Sequence, residues 1–190
     1  MPPKAKITRD MIIEAGVKIV REKGAESLNV RQAAAVLGCS TQPVMYHFST
    51  VSELKAAVYA AADELHTAYI MTPDESIGDP FLSIGLKYIR FAAEERELFR
   101  FLFQSGKFGD MSFDQLMGQE ETSSLLAPLC SGAGLDEAQA REVFSVLFMC
   151  VHGAASLIAN NSMEYEEEHF KQLLTRTFFG VIGAVRGEDV

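Results

Sequence analysis

The stretch from Asn29 to Phe48, NVRQAAAVLGCSTQPVMYHF, leaves the chain few folds to choose from. Arg31 to Leu37 is built from Ala and other helix formers. Gly38 follows where a first helix should end, since glycine takes a left-handed backbone without steric cost. Ser40 or Thr41 can cap a second helix by accepting a backbone N–H bond. Pro43 would break a helix interior. In a first turn, however, backbone N–H groups have no intrahelical partner, so its ring removes nothing. The second helix is therefore short, roughly Thr41 to His47, with Thr41, Gln42, Tyr46 and His47 free to face outward. Helix, glycine-containing turn, helix is the helix-turn-helix pattern, whose second helix lies in a DNA major groove. The same spacing also fits an αα-hairpin inside an all-helical enzyme or bundle, so the flanks must decide.

The flanks carry further spaced elements. An amphipathic first helix ends in Glu22, Lys23 and Gly24, the second helix opens on polar Asn29, and small Ala34 lies within it. Leu37 and Gly38 stand at the turn; Met45, Tyr46, His47 and Phe48 close the motif, and Leu54 follows six residues after the Phe. Over roughly residues 7 to 65 this order resembles the N-terminal domain of the TetR/AcrR family of transcriptional regulators. Two positions depart from it. The family's usual Tyr two residues before the His is Met45 here, with Tyr46 one place later. Its usual Lys three residues after the Phe is Val51, so one phosphate anchor is missing or its role passes to Lys55. The resemblance implies a homodimeric DNA-binding protein with an all-α fold. A three-helix helix-turn-helix domain (residues 1–50) would precede a helical ligand-binding and dimerisation domain (51–190). The helix over 51–70 would connect them, in about nine helices altogether.

Charge agrees once the chain is divided. The net charge of −9 argues at first against a polyanionic partner. Residues 1–55, however, hold eight Lys/Arg against five Asp/Glu, net +3, while residues 56–190 are net −12. The local face, not the total, decides nucleic-acid binding, and an acidic remainder weakens non-specific association. Cys39, Cys130 and Cys150 are scattered, without zinc spacing, and read as reduced thiols of a cytoplasmic protein. The opening MPPKAK lacks the apolar core of a signal peptide.

Along the chain, Lys4 and Lys6 lie in a basic arm, and Thr8 caps a first helix running to about Lys23. Val51, Leu54, Val58, Ala62, Leu65 and Tyr69 recur at helical spacing and predict a long fourth helix, broken at Thr72, Pro73 and Asp74. Phe81, Ile84, Tyr88 and Phe91 line a fifth. Leu98 to Phe103 is short and aromatic, and Met111 to Leu129 is a weaker helical stretch ending near Pro128 and Ser131-Gly132. Nothing alternates at a period of two, so no strand is expected. Val143 to Met163 carries no formal charge and is long enough to span a membrane. Its Ser145, His152, Gly153, Ser156, Asn160 and Asn161 favour instead a helix buried on two sides, by its own domain and by a second subunit. Phe170, Leu173, Leu174, Phe178, Val181 and Ile182 stripe the last helix. In the family the last two helices, here about 138–160 and 165–186, form the dimer interface. Val151 to Ala154 resembles a His-Gly element found at this place in one subgroup of TetR-like C-terminal domains.

Catalysis has little support. The four histidines have no Cys, Ser or carboxylate partner at a motif spacing, and Gly106 to Gly109 lacks the spacing of a phosphate loop. No cofactor or metal is implied; Glu164, Glu166, Glu167 and Glu168 fit a solvated helix start better than a cation site. The resemblance implies a ligand pocket in the Phe- and Met-rich domain, with Tyr88, Phe91, Phe103, Met117 and Phe148 as apolar lining. His152 would orient the ligand, or else be a core histidine satisfied by a carbonyl. For DNA the candidates are Thr41, Gln42 and Tyr46 at base edges or thymine methyls, with Pro43 beside them. Asn29, Arg31, His47 and Lys55 would sit at phosphates. The reading is a repressor released from a pseudo-palindromic operator by a small apolar ligand. The alternative is a ligand-binding or protein-interaction module of the same fold that no longer binds an operator.

Overall fold

In the computed structural model, residues 7–104, 112, 115, 120–161 and 163–187 are described, without the side chains of 120–125 and 128. Among them are nine α-helices and no strand. They are α1 (Arg9–Lys23), α2 (Val30–Val36), α3 (Thr41–His47), α4 (Val51–Met71), α5 (Pro80–Glu94) and α6 (Arg96–Phe103), then α7 (Glu120–Ala133), α8 (Glu137–Asn161) and α9 (Glu167–Arg186). The chain divides into two compact units. One comprises Met1–Met71 with Glu94–Ser105, the other Thr72–Ala93 with Gly106–Val190.

In the first unit α1 starts where the Thr8 hydroxyl accepts the Met11 N–H at 3.2 Å and stops at Gly24, with φ 80°. Ile12, Ala15, Val17, Ile19 and Val20 form its buried face. Gly16 lets α4 come close: a Cβ there would lie 2.3 Å from Cγ2 of Val58. The buried stripe of α4 is Leu54, Val58, Ala62 and His66. The sequence pattern had Val51, Leu65 and Tyr69 in that stripe. Val51 is exposed and His66 takes the last buried place, because the face that packs repeats every fourth residue. Short α6 also belongs here, packed on α1 and α4. The Tyr59 hydroxyl donates to the Leu102 carbonyl at 3.0 Å, and Arg21 pairs with Glu95 at 2.7 Å. Leu98, Phe99 and Leu102 are fully buried.

The second unit has its core on α7, α8 and α9, from Leu126, Leu129, Leu135, Ala140, Val143, Leu147 and Ile182. Helix α7 runs on through position 128 to Ala133, past the expected proline and one residue beyond the expected Ser131-Gly132. A proline costs a helix one hydrogen bond, and the burial of Leu126 and Leu129 holds the turns on either side. Gly134, with φ 61°, ends it instead. Helix α8 then opens on a capping box: Asp136 Oδ1 accepts the Gln139 N–H at 2.9 Å, and Gln139 Oε1 accepts the Asp136 N–H at 3.1 Å. By length and mean hydropathy (1.7 over its best window) α8 could cross a membrane. Val143, Leu147, Val151, Ala155 and Ile158 instead face the core of the unit. Met149 and Leu157 lie exposed on α8, and Leu173 and Phe179 on α9.

Candidate functional site

The motif from Asn29 to Phe48 forms two helices joined by a tight turn. Asn29 caps α2: its Oδ1 accepts the Gln32 N–H at 3.0 Å while its Nδ2 donates to the Ser27 carbonyl at 3.2 Å. Gly38, with φ 61°, makes the left-handed turn, and its open surroundings leave backbone conformation as the reason for glycine. Ser40 stands at the N-cap of α3, yet no side-chain bond caps this helix; neither Ser40 nor Thr41 plays the expected part. Pro43 falls in the first turn, where its missing N–H costs nothing. Val44 and Phe48 are fully buried and seat α3 against its own unit.

That seating decides what faces out. Thr41, Gln42, Met45 and Tyr46 are exposed, Met45 at 57% and Tyr46 at 83%. Arg31 is exposed in the first turn of α2; Pro43, His47 and Lys55 are half-buried. His47 Nε2 lies 3.1 Å from the carbonyl oxygen of Ile7. A carbonyl only accepts, so this nitrogen carries the proton and donates it. His47 thus ties the end of the recognition helix to the residue before the Thr8 cap. The Arg9 guanidinium sits 5.0 Å over the Phe48 ring and adds a positive charge beside α3 that the motif does not reveal.

In the second unit Tyr88, Phe148 and His152 come together. The Tyr88 hydroxyl lies 3.0 Å from His152 Nδ1. The rings of Phe144, Phe148 and His152, spaced four residues apart on α8, stack nearly parallel, at 19° and 18°. Burial pushes the His152 pKa down and favours the neutral ring. One ring nitrogen of His152 thus meets a tyrosine hydroxyl from α5. Phe91 is fully buried on α5. Phe103 belongs to the other unit, packed edge-on against His66 at 5.1 Å and tilted against Phe99 at 4.9 Å. Met117 lies outside the described residues.

Other groups escaped the sequence. Arg90 of α5 holds the Glu167 carboxylate, with the Tyr165 ring 5.8 Å below its guanidinium. Burial works against the Arg90 charge, but its bonds to Tyr165 and Glu167 more than offset this and raise its pKa. One carboxylate of the acidic run is thus an ion-pair partner of Arg90. His66 is 4% exposed, and burial lowers its pKa to about 4. Among the described residues no group of three or more His, Cys, Asp or Glu could hold a metal ion.

A family model described as Tetracyclin repressor-like, C-terminal domain, matches residues 81–178. No curated protein matches the chain. The fold is similar to a solved structure of a TetR family member (SCO1917) from Streptomyces coelicolor A3. The two share 21% identity over 89% of this chain and 96% of that one, with a TM-score of 0.60. It is similar too to the multidrug binding protein EbrR complexed with ethidium, at 21% identity over 93% and 99% of the two chains, with a TM-score of 0.53. A helix-turn-helix at one end and a matched C-terminal domain covering half the sequence make this chain a member of the TetR family of transcriptional regulators.

Proposed function

We propose that the protein is a cytoplasmic homodimeric repressor that leaves a pseudo-palindromic operator when a small apolar ligand binds. The observation that carries this reading is the outward face of α3, where Thr41, Gln42 and Tyr46 stand exposed in the basic part of the chain. A dimer sets two such helices in successive major grooves, about one helical turn apart. Thr41, Gln42 and Tyr46 meet base edges, with Pro43 beside them. Arg31 and Lys55 meet phosphates and fix register without reading sequence. Asn29 and His47 serve the same backbone contact by holding the start of α2 and the end of α3. Residues 1–50, with Lys55 at the start of α4, thus carry the operator contacts, and the rest of 51–190 carries ligand binding and dimerisation.

The dimer forms through α8 and α9. Met149, Leu157, Leu173 and Phe179 are large apolar side chains left exposed on these two helices, a cost to an isolated subunit that a second copy removes. The effector binds at Tyr88, Phe148 and His152, whose stacked rings and single polar pair suit an apolar ligand that needs orienting. A fold relative described as a multidrug binding protein with ethidium supports a ligand of that size. Ligand binding biases α4, which continues directly from the helix-turn-helix, and can shift DNA affinity only by its different affinity for the two states.

Salt titration of operator binding tests the reading. Six or more phosphate contacts predict a loss of about a thousandfold between 50 and 200 mM salt. Gln42→Ala/Tyr46→Ala should sharply weaken operator preference while leaving the fold intact. Val51, exposed where the family resemblance implies a lysine, favours a second reading, a module of this fold that binds ligand or protein but no operator. No duplex enriched over random DNA, or an affinity for DNA that the double substitution leaves unchanged, would select that reading.

A further inference from the structure

The exposed side of α3 contains one apolar residue, Met45, which stands where the family resemblance leads one to expect Tyr and to which no DNA contact has been assigned. At about 100° per residue, the outward residues lie on a helical wheel near 0° for Thr41, 40° for Met45, 100° for Gln42 and 140° for Tyr46. Met45 therefore sits inside the arc that the three polar residues define, between Thr41 and Gln42. It is 57% exposed, while its neighbour Val44 is fully buried, so packing of the unit gives Met45 no role. Its thioether has no N–H or O–H to donate and accepts only weakly. It can neither hold a phosphate nor read the donor and acceptor pattern of a base edge. In the major groove the apolar partner that a base pair offers is the C5-methyl group of thymine.

We infer that Met45 is a specificity-determining residue that packs on the C5-methyl of a thymine in each operator half-site. The inference rests on the proposed operator binding and adds a reader that no hydrogen-bond pattern would reveal. A long, unbranched, polarizable side chain can follow a methyl group whose exact depth the docking sets. Flanked by Thr41 and Gln42, the contact is shielded from water at its edges, so apolar area is removed on both partners. Cytosine lacks the methyl, and uracil differs from thymine by the methyl alone, which isolates the contact chemically.

The test uses the full chain and the duplex that it enriches from a random pool. Each thymine is replaced singly by deoxyuridine, and affinity is measured for the native sequence, Met45→Ala, Met45→Leu and Gln42→Ala. Burying one methyl predicts about a fourfold loss at one thymine per half-site, and about fifteenfold when both half-sites are changed. Met45→Ala should erase that difference between thymine and deoxyuridine at that position only. Met45→Leu should keep most of it, and Gln42→Ala should leave it while altering preference elsewhere. Circular dichroism should show all variants folded, as expected for an exposed site. A thymine-to-deoxyuridine profile that is flat, or that Met45→Ala leaves unchanged, overturns the inference but not the operator binding. A pool that yields no enriched sequence overturns both.

Discussion

At the scale of single residues, two histidines show how burial sets chemistry. His66 is enclosed between α4 and α6, and burial lowers its pKa from 6.5 to about 4. The folded protein therefore refuses a proton that the unfolded chain takes up near pH 6.5. Stability should fall as pH drops from 6.5 to about 4, by up to about 3 kcal/mol from this group, and change no further below that. Urea denaturation of the native protein and His66→Leu across that range checks it: the variant should show a shallower fall, and equal slopes would rule the account out. His152 is the second case. Its Tyr88 partner predicts that Tyr88→Phe lowers stability by about 1 kcal/mol, readable by thermal denaturation. The sequence could mark His152 as a lone polar residue on an apolar helix, but its partner lies 64 positions away and no local pattern joins them. His66 was illegible for another reason. Leu65 and Tyr69 fit a three-and-four repeat as well as His66 does, and only the packing of α6 selects the face.

At the scale of elements, α1 and α4 meet through a position where no side chain fits. Gly16→Ala would place a Cβ 2.3 Å from Val58. Overpacking of this kind costs about 1–3 kcal/mol, against about 1 kcal/mol gained in helix propensity. The net effect should be a modest destabilisation that shrinks in a Val58→Ala background, and an Ala that stabilises the native protein would contradict the close approach. Helices α1 to α4 were legible because caps, glycines and a single stripe all fall within a few residues of one another. Helix α6 was legible only as a short aromatic stretch, neither as a helix from Arg96 nor as part of the first unit. Its partners Arg21 and Tyr59 precede it by many residues, and eight residues carry no mark of where they will pack. The extension of α7 past its proline had the same origin, since Leu126 and Leu129 are held by α8 and α9, which no local propensity reports.

For the whole molecule the account requires two copies. Phe179, 65% exposed on α9, and Leu157 on α8 are the apolar side chains that the proposed dimer would cover. Phe179→Asp with Leu157→Asp should halve the mass seen by sedimentation, and operator affinity should fall by orders of magnitude, since one recognition helix alone reads half a site. A monomeric native protein would remove the basis for a palindrome. The most direct measurement of the central claim is the sequence of the duplexes that the full chain enriches from a random pool at fixed moderate salt. The account predicts an inverted repeat with half-site centres about 10 base pairs apart, absent with Gln42→Ala/Tyr46→Ala. A pool without any repeat, or the same repeat with the variant, would contradict it.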